Sequence, residues 1–280
     1  MHREDNDKGA FVVLPDVPDR LDPAGAGQGH VHHHRVGLCL AEAGIGAAGI
    51  LGLGDEEYVP NQDPMAVMGT LLQAGQDLTS MVAELGAERR KNPGDDIISL
   101  LVNAQDEGDG VLTDAELGSF FVLLVVAGNE TTRNAIAHGL YWMTQNPEQK
   151  QWWWDDFDAR APQAVEEIVR YATPVIHFRR TCTTDGTMLG GREFSEGEKV
   201  VLWYNAANRD PEVFEDPHRF DLSRPIESIK DHVGFGGPGP HFCLGAHLAR
   251  REITLMFREL QQRIPDIHAV GEPDRLKSSF

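Results

Sequence analysis

Phe235-Gly236-Gly237-Pro238-Gly239-Pro240-His241-Phe242-Cys243-Leu244-Gly245-Ala246-His247-Leu248-Ala249-Arg250-Arg251 sets one cysteine between a glycine-rich loop and the start of a helix. Gly236, Gly237 and Gly239 allow the backbone to approach a flat cofactor closely, and Gly245 removes side-chain bulk just beyond Cys243. A helix from about Leu244 would point its N-terminal amides and the positive end of its dipole at the sulfur, favouring the thiolate, the form that ligates a metal. The alternative is a buried or merely reactive free cysteine. Such a residue does not require three upstream glycines, a histidine two residues before it and a glycine two residues after it.

Working outward, Ala127-Gly128-Asn129-Glu130-Thr131-Thr132 falls midway along a helical run from Asp114 to Gln145. A glycine and two threonines lower propensity in a helix interior, a cost that either a ligand groove or a packing kink would justify. Thr113 and Glu116 form a capping box at the start of this run, and Asn146-Pro147 ends it. Glu167 and Arg170 share one face of a short helix over Ala164 to Tyr171, which stops at Thr173-Pro174. Val175 to Thr184, Thr187 to Phe194 and Lys199 to Tyr204 alternate like strands, with turns at Asp185-Gly186 and Glu196-Gly197.

Upstream, Met65 to Lys91 and Ile97 to Gln105 read as helices separated by Asn92-Pro93-Gly94-Asp95-Asp96, and Ala246 to Ile264 reads as an amphipathic final helix. The outline is mainly α with small β-sheets. Residues 1–60 form an atypical segment biased toward Gly, Ala, His and Pro, and 61–280 form the orderly remainder. His30, His32, His33 and His34 lack the spacing and companion ligands of a metal site, so an exposed loop is expected there. Trp152-Trp153-Trp154 reads as a surface anchor or as local packing.

The cysteine loop resembles the haem-binding loop of the cytochrome P450 family, in which a thiolate donates electron density to the haem iron. Phe235 stands eight residues before Cys243, one more than in the commonest form of that loop. The longer form is similar to a bacterial branch that oxidises sterol side chains (C26/C27) and methyl-branched lipids. The resemblance runs from about Pro64 to Phe280 and includes Ala206 to Pro211 and Phe214 to Asp221. It implies a partial cytochrome P450 fold within a longer chain, shortened at both ends, and haem b (iron protoporphyrin IX) as cofactor.

By the same resemblance Cys243 is the axial ligand, with Phe235, Gly128 and Gly245 around the haem and Arg180 and His241 as propionate donors. Arg179 competes with Arg180 for that place. Glu130 and Thr131 would deliver the protons consumed as O–O cleavage proceeds. Glu167 and Arg170, with Arg219 from Pro217-His218-Arg219-Phe220, would form a structural brace under the cysteine loop. Val175, Ile176, His177 and Phe178 line either the substrate cavity or a strand core. Electrons would come from NAD(P)H through ferredoxin reductase and ferredoxin, with His247, Arg250, Arg251 and Arg258 as either a docking face or a solvated helix face. The implied reaction is hydroxylation of an unactivated C–H bond, at the terminal methyl of a sterol side chain or branched lipid. A terpenoid alcohol is the alternative substrate, and an inactive or turnover-free haem-binding fragment the alternative function.

Composition narrows the setting. A 280-residue chain that is 41% hydrophobic can bury a substantial core, and a net charge of -19 argues against a nucleic-acid or anionic-membrane partner. Three cysteines, Cys39, Cys182 and Cys243, make no disulfide framework, and no apolar run reaches the length of a membrane span. A cytoplasmic protein is expected, and the resemblance implies a small hydrophobic substrate.

Overall fold

The computed structural model describes residues 11–13, 64–103 and 112–273. The histidine run, Cys39 and the rest of residues 14–63, the loop from Asp106 to Gly110 and the last seven residues lie outside the described residues. The chain divides into two compact units, Asp19–Glu130 and Thr131–Phe280 with Met1–Pro18. The boundary falls inside the long helix read from the sequence.

In the first unit, α1 (Pro64–Lys91) and α2 (Ile97–Asn103) are joined by the Asn92–Asp96 turn. Asp96 stops one helix and starts the next. Its Oδ1 accepts the Ser99 amide at 2.8 Å and its Oδ2 accepts Arg89 Nε at 2.6 Å. Thr113 and Glu116 make the expected reciprocal cap of α3 (Asp114–Gln145): the Glu116 amide donates to Thr113 Oγ1 at 3.2 Å, and the Thr113 amide donates to Glu116 Oε2 at 2.8 Å. Val82, Ile98, Val102 and Leu117 form a buried cluster among these helices. A Cβ on Gly118 would lie 2.6 Å from Thr79 Cγ2, so α1 and α3 approach at a distance that only glycine allows.

The second unit holds the larger core. Ala135, Leu140 and Met143 of α3 pack with Trp153 of α4 (Pro147–Asp155), Ile168 of α5 (Phe157–Ala172) and Phe257 of the final helix. Trp153 is fully buried, stacked 4.9 Å from Phe157 and tilted 5.2 Å from Phe257. Trp152 lies under Arg160 and Trp154 under Lys150, so the tryptophan run is local packing. The α5 helix begins seven residues before the predicted start and carries Pro162 within it. Its C-terminal stop is as read: Thr173 adopts φ 41°, is buried, and donates through Oγ1 to Arg170 O at 2.6 Å.

Among the described residues, three two-stranded antiparallel sheets belong to this unit. β1 (Phe11–Val13) pairs with β6 (His268–Val270), and β2 (His177–Thr181) pairs with β5 (Lys199–Trp203). The predicted single strand from Thr187 to Phe194 is a hairpin, β3 (Thr187–Leu189) and β4 (Arg192–Phe194). Gly190 and Gly191 take φ of 56° and 78°, the pair of positive values that a tight two-residue turn requires. Two short helices, α6 (Tyr204–Ala207) and α7 (Ile226–Ile229), precede α8 (Ala246–Arg263). Among the described residues, no helix is long and apolar enough to cross a membrane.

Candidate functional site

The cysteine loop is fixed through its backbone. The Val233 amide donates to Asn208 Oδ1 at 2.7 Å, the Gly234 amide to His232 Nδ1 at 3.1 Å, and the Gly236 amide to Val233 O at 2.9 Å. The Cys243 amide then returns to Phe235 O at 2.9 Å, closing the loop on itself. Gly236 and Gly239 take φ of 89° and 129°, which other residues rarely adopt. The α8 helix begins at Ala246, the start read for the final helix, with Gly245 as its N-cap and Cys243 O accepting the Ala246 amide at 3.2 Å. This leaves the Cys243 thiol exposed, beside the exposed apolar side chains of Phe242, Leu244 and Leu248. Cβ atoms at Gly237, Gly239 or Gly245 would meet nothing within 4 Å.

The α5 helix carries a wholly buried ion pair. Arg170 Nε and Nη2 hold Glu167 Oε2 and Oε1 at 2.7 and 2.8 Å, with both side chains at 0% exposure. The remaining donors of Arg170 reach Asn208 O, Pro217 O and Arg219 O at 2.7, 3.0 and 3.3 Å, so one guanidinium ties α5 to two later loops. Glu167 Oε1 also accepts the Asp221 amide at 3.0 Å and Arg224 Nε at 3.3 Å.

The third basic side chain is therefore Arg224, not Arg219. Phe220 is buried in the core, while the neighbouring Arg219 lies in a turn closed by its amide on Asp216 O at 2.9 Å, and its side chain is 62% exposed and 3.6 Å from Asp221. Arg219 contributes only its carbonyl to the brace, whereas Arg224 also donates to Glu215 O and Asp216 O at 2.6 and 2.7 Å.

A second buried carboxylate adjoins the first. Glu166 Oε2 lies 2.7 Å from His232 Nε2 and accepts Arg250 Nη2 at 3.0 Å, while Arg250 Nε donates to Oε1. Burial pushes this carboxyl up, but the hydrogen bonds from His232 and Arg250 outweigh it and hold the group down at about 2. The Arg250 guanidinium also sits 4.3 Å from the Phe235 ring centroid.

The other predicted residues are placed as follows. Arg180 is exposed on β2, opposite Val200, with its guanidinium 5.3 Å from the Phe178 ring centroid; Arg179 is exposed beside it. His241 is exposed. Val175, Ile176 and His177 are half-buried and Phe178 is exposed. His177 stacks on Trp203 at 4.9 Å, and its buried Nδ1 finds no hydrogen-bond partner among the described residues. On α3, Glu130 is buried and Thr131 half-buried, while a Cβ at Gly128 would meet nothing within 4 Å. Arg250 and Arg258 are tied to Glu166 and Asp158, leaving His247 and Arg251 exposed on α8.

The family model for cytochrome P450 matches residues 59–152 and 161–264. The chain belongs to the cytochrome P450 family. It is 49% identical over 231 residues to a methyl-branched lipid omega-hydroxylase of Mycobacterium tuberculosis, covering 82% of this chain and 51% of that P450. It is 43% identical over 225 residues to a steroid C26-monooxygenase of Mycolicibacterium smegmatis, covering 80% and 51%. A solved Mycobacterium marinum cytochrome P450 in complex with pseudoionone matches with a TM-score of 0.75 and 48% identity, covering 84% of this chain and 54% of that one. The chain thus spans about half the length of the curated P450s it matches.

A P450 carries haem, and the cysteine loop fits it. Among the described residues no group of three or more His, Cys, Asp or Glu side chains could hold a bare metal ion. A single exposed thiol is the donor set suited to an iron whose other ligands come from a macrocycle. The glycine backbone, open above Gly237, Gly239 and Gly245, suits a flat apolar ring. The sequence reading missed Arg224, Asn208, Glu166, His232 and Arg250 as parts of this support. The signals were present: Arg224 follows Phe220-Asp221 by three residues, and Glu166 adjoins Glu167.

Proposed function

We propose that this chain carries the cysteine-ligand part of a haem-thiolate monooxygenase that hydroxylates an unactivated C–H bond in a small hydrophobic substrate. The observation that carries the reading is the exposed Cys243 thiol on a backbone-locked glycine loop. When bound, haem b supplies dioxygen activation and C–H cleavage. The protein's own part is to hold and surround it. Cys243 ligates the iron, with Phe235, Gly245 and Gly128 leaving room for the ring and Arg180 and His241 donating to the propionates. Glu130, through its carboxyl, and Thr131, through its hydroxyl, hold and pass the protons that dioxygen reduction consumes. Electrons arrive from NAD(P)H through ferredoxin reductase and ferredoxin, for which exposed Arg251, with His247 exposed on the same helix, offers positive charge on an acidic protein.

The names of the similar proteins favour the terminal methyl of a branched lipid or sterol side chain as substrate, with a terpenoid alcohol as the alternative. The alternative reading is a haem-binding module without turnover. Incubating the haem-loaded chain with ferredoxin, its reductase, NADPH and either a methyl-branched fatty acid or a sterol separates the two. Omega-hydroxylated product supports the monooxygenase; haem binding with no product supports the module.

A further inference from the structure

Two adjacent carboxylates on α5 face two different tasks. Glu167 is consumed by Arg170 and Arg224, whereas Glu166 reaches His232 and Arg250. His232 is buried, with its side chain only 2% exposed, and both ring nitrogens are engaged. Because the Gly234 amide donates to Nδ1, that nitrogen carries the lone pair, and Nε2–H must be the donor to Glu166. The carboxylate thereby fixes the tautomer, and the tautomer supplies the acceptor for the first amide of the cysteine loop.

The loop has no slack there. A Cβ at Gly234 would lie 2.6 Å from Val169 Cγ1 and 3.1 Å from Val169 O, so the backbone is pressed directly on α5. The next residue, Phe235, has its ring under Arg250 and gives its carbonyl to the Cys243 amide at 2.9 Å. Glu166 is therefore linked to the cysteine by an unbroken run of contacts: carboxylate to imidazole, imidazole to the amide of the Val233–Gly234 peptide, that peptide's Val233 O to the Gly236 amide at 2.9 Å, and Phe235 O of the Phe235–Gly236 peptide to the Cys243 amide.

We propose that Glu166, His232 and Arg250 form a second brace in which His232 is a positioning residue: its Nδ1 sets the Val233–Gly234 peptide, and through the Phe235–Gly236 peptide bonded to it the backbone amide and orientation of Cys243. The link to haem chemistry rests on the reading of Cys243 as iron ligand; the link to loop geometry does not. Loss of the Nδ1 acceptor frees the Val233–Gly234 peptide to rotate, which loosens the Gly236 amide from Val233 O and releases Phe235 O from the Cys243 amide.

Two substitutions dissect the imidazole. His232→Asn places an amide oxygen where Nδ1 stands and abandons Glu166, whereas His232→Gln keeps a donor near Glu166 and abandons Gly234. Site-resolved amide exchange on the full chain without haem reads the outcome. In His232→Gln the Gly234 and Cys243 amides should exchange about tenfold faster or more, as for a lost buried hydrogen bond. In His232→Asn they should stay within about threefold of the parent, while the amide of Thr173, at the end of α5, is unchanged in both. Equal behaviour of the two variants, or an unmoved Cys243 amide in His232→Gln, overturns the proposal. Should His232→Gln not fold, Glu166→Gln serves: the proposal expects faster exchange at Gly234 and Cys243 than at Val233, which Asn208 holds, and uniform exchange overturns it. With haem added, His232→Gln should lose more of the thiolate-ligated carbon monoxide band than His232→Asn. If the parent chain takes up no haem, the proposed function fails while the exchange result still decides this inference.

Discussion

At the scale of single residues, the two neighbouring glutamates of α5 make different predictions. Removing Arg224 would leave Glu167 with one guanidinium fewer in a site it shares at 0% exposure with Arg170. Stranding part of a buried charge costs about 3 kcal/mol or more, so Arg224→Ala should lower the urea midpoint strongly. Arg219→Ala, an exposed side chain near Asp221, should change stability by no more than about 0.5 kcal/mol. The reverse ranking would restore Arg219 to the brace. Glu166 adds a pH signature. Its pKa falls from the usual 4.5 to about 2 on folding, so its contribution is complete above about 4.5 and is lost as pH drops from there toward 2. The stability difference between the parent and Glu166→Gln should therefore shrink across that window, and a pH-independent difference would contradict the assignment. The sequence displayed the pair of glutamates, but not which basic residue met each. That choice depends on how Phe220 and the loop before α8 fold back, which no local pattern encodes.

At the scale of elements, α3 carries opposite outcomes for one substitution. Gly118→Ala puts a Cβ 2.6 Å from the branched Thr79 side chain of α1, and overpacking of this kind costs about 1–3 kcal/mol, more than the helix preference of alanine returns. Gly128→Ala meets nothing within 4 Å, so it should stabilise the haem-free chain by up to about 1 kcal/mol while weakening haem uptake. Thermal melts check the first pair of signs, and haem titration checks the second; stabilisation by both substitutions would mean that α1 and α3 do not pack as described. Helix ends were the most legible features: Thr113 and Glu116 announced the start of α3, and Thr173-Pro174 the end of α5. The early part of α5 and all of α4 escaped notice because Pro162 and the tryptophan run obscure the helical period, and packing around Trp153 decides the matter. The Gly190-Gly191 turn was overlooked within an alternating run, although two adjacent glycines are a hairpin signal.

At the scale of the whole chain, one feature of the sequence outweighed all others. The glycine loop around Cys243 pointed to the family before any packing was known, because glycine spacing, histidine and cysteine are all local. What surrounds the loop was not local. Asn208, His232 and Arg250 come from three separate segments and meet only in the fold. The central claim is that Cys243 supplies a thiolate to haem iron, and reduced, carbon monoxide-bound spectra of the haem-loaded chain and of Cys243→Ser test it most directly. The account predicts the strongly red-shifted Soret band of a thiolate-ligated haem in the parent chain and its complete loss in Cys243→Ser; an unshifted band in the parent, or a shifted band that survives in Cys243→Ser, would contradict it.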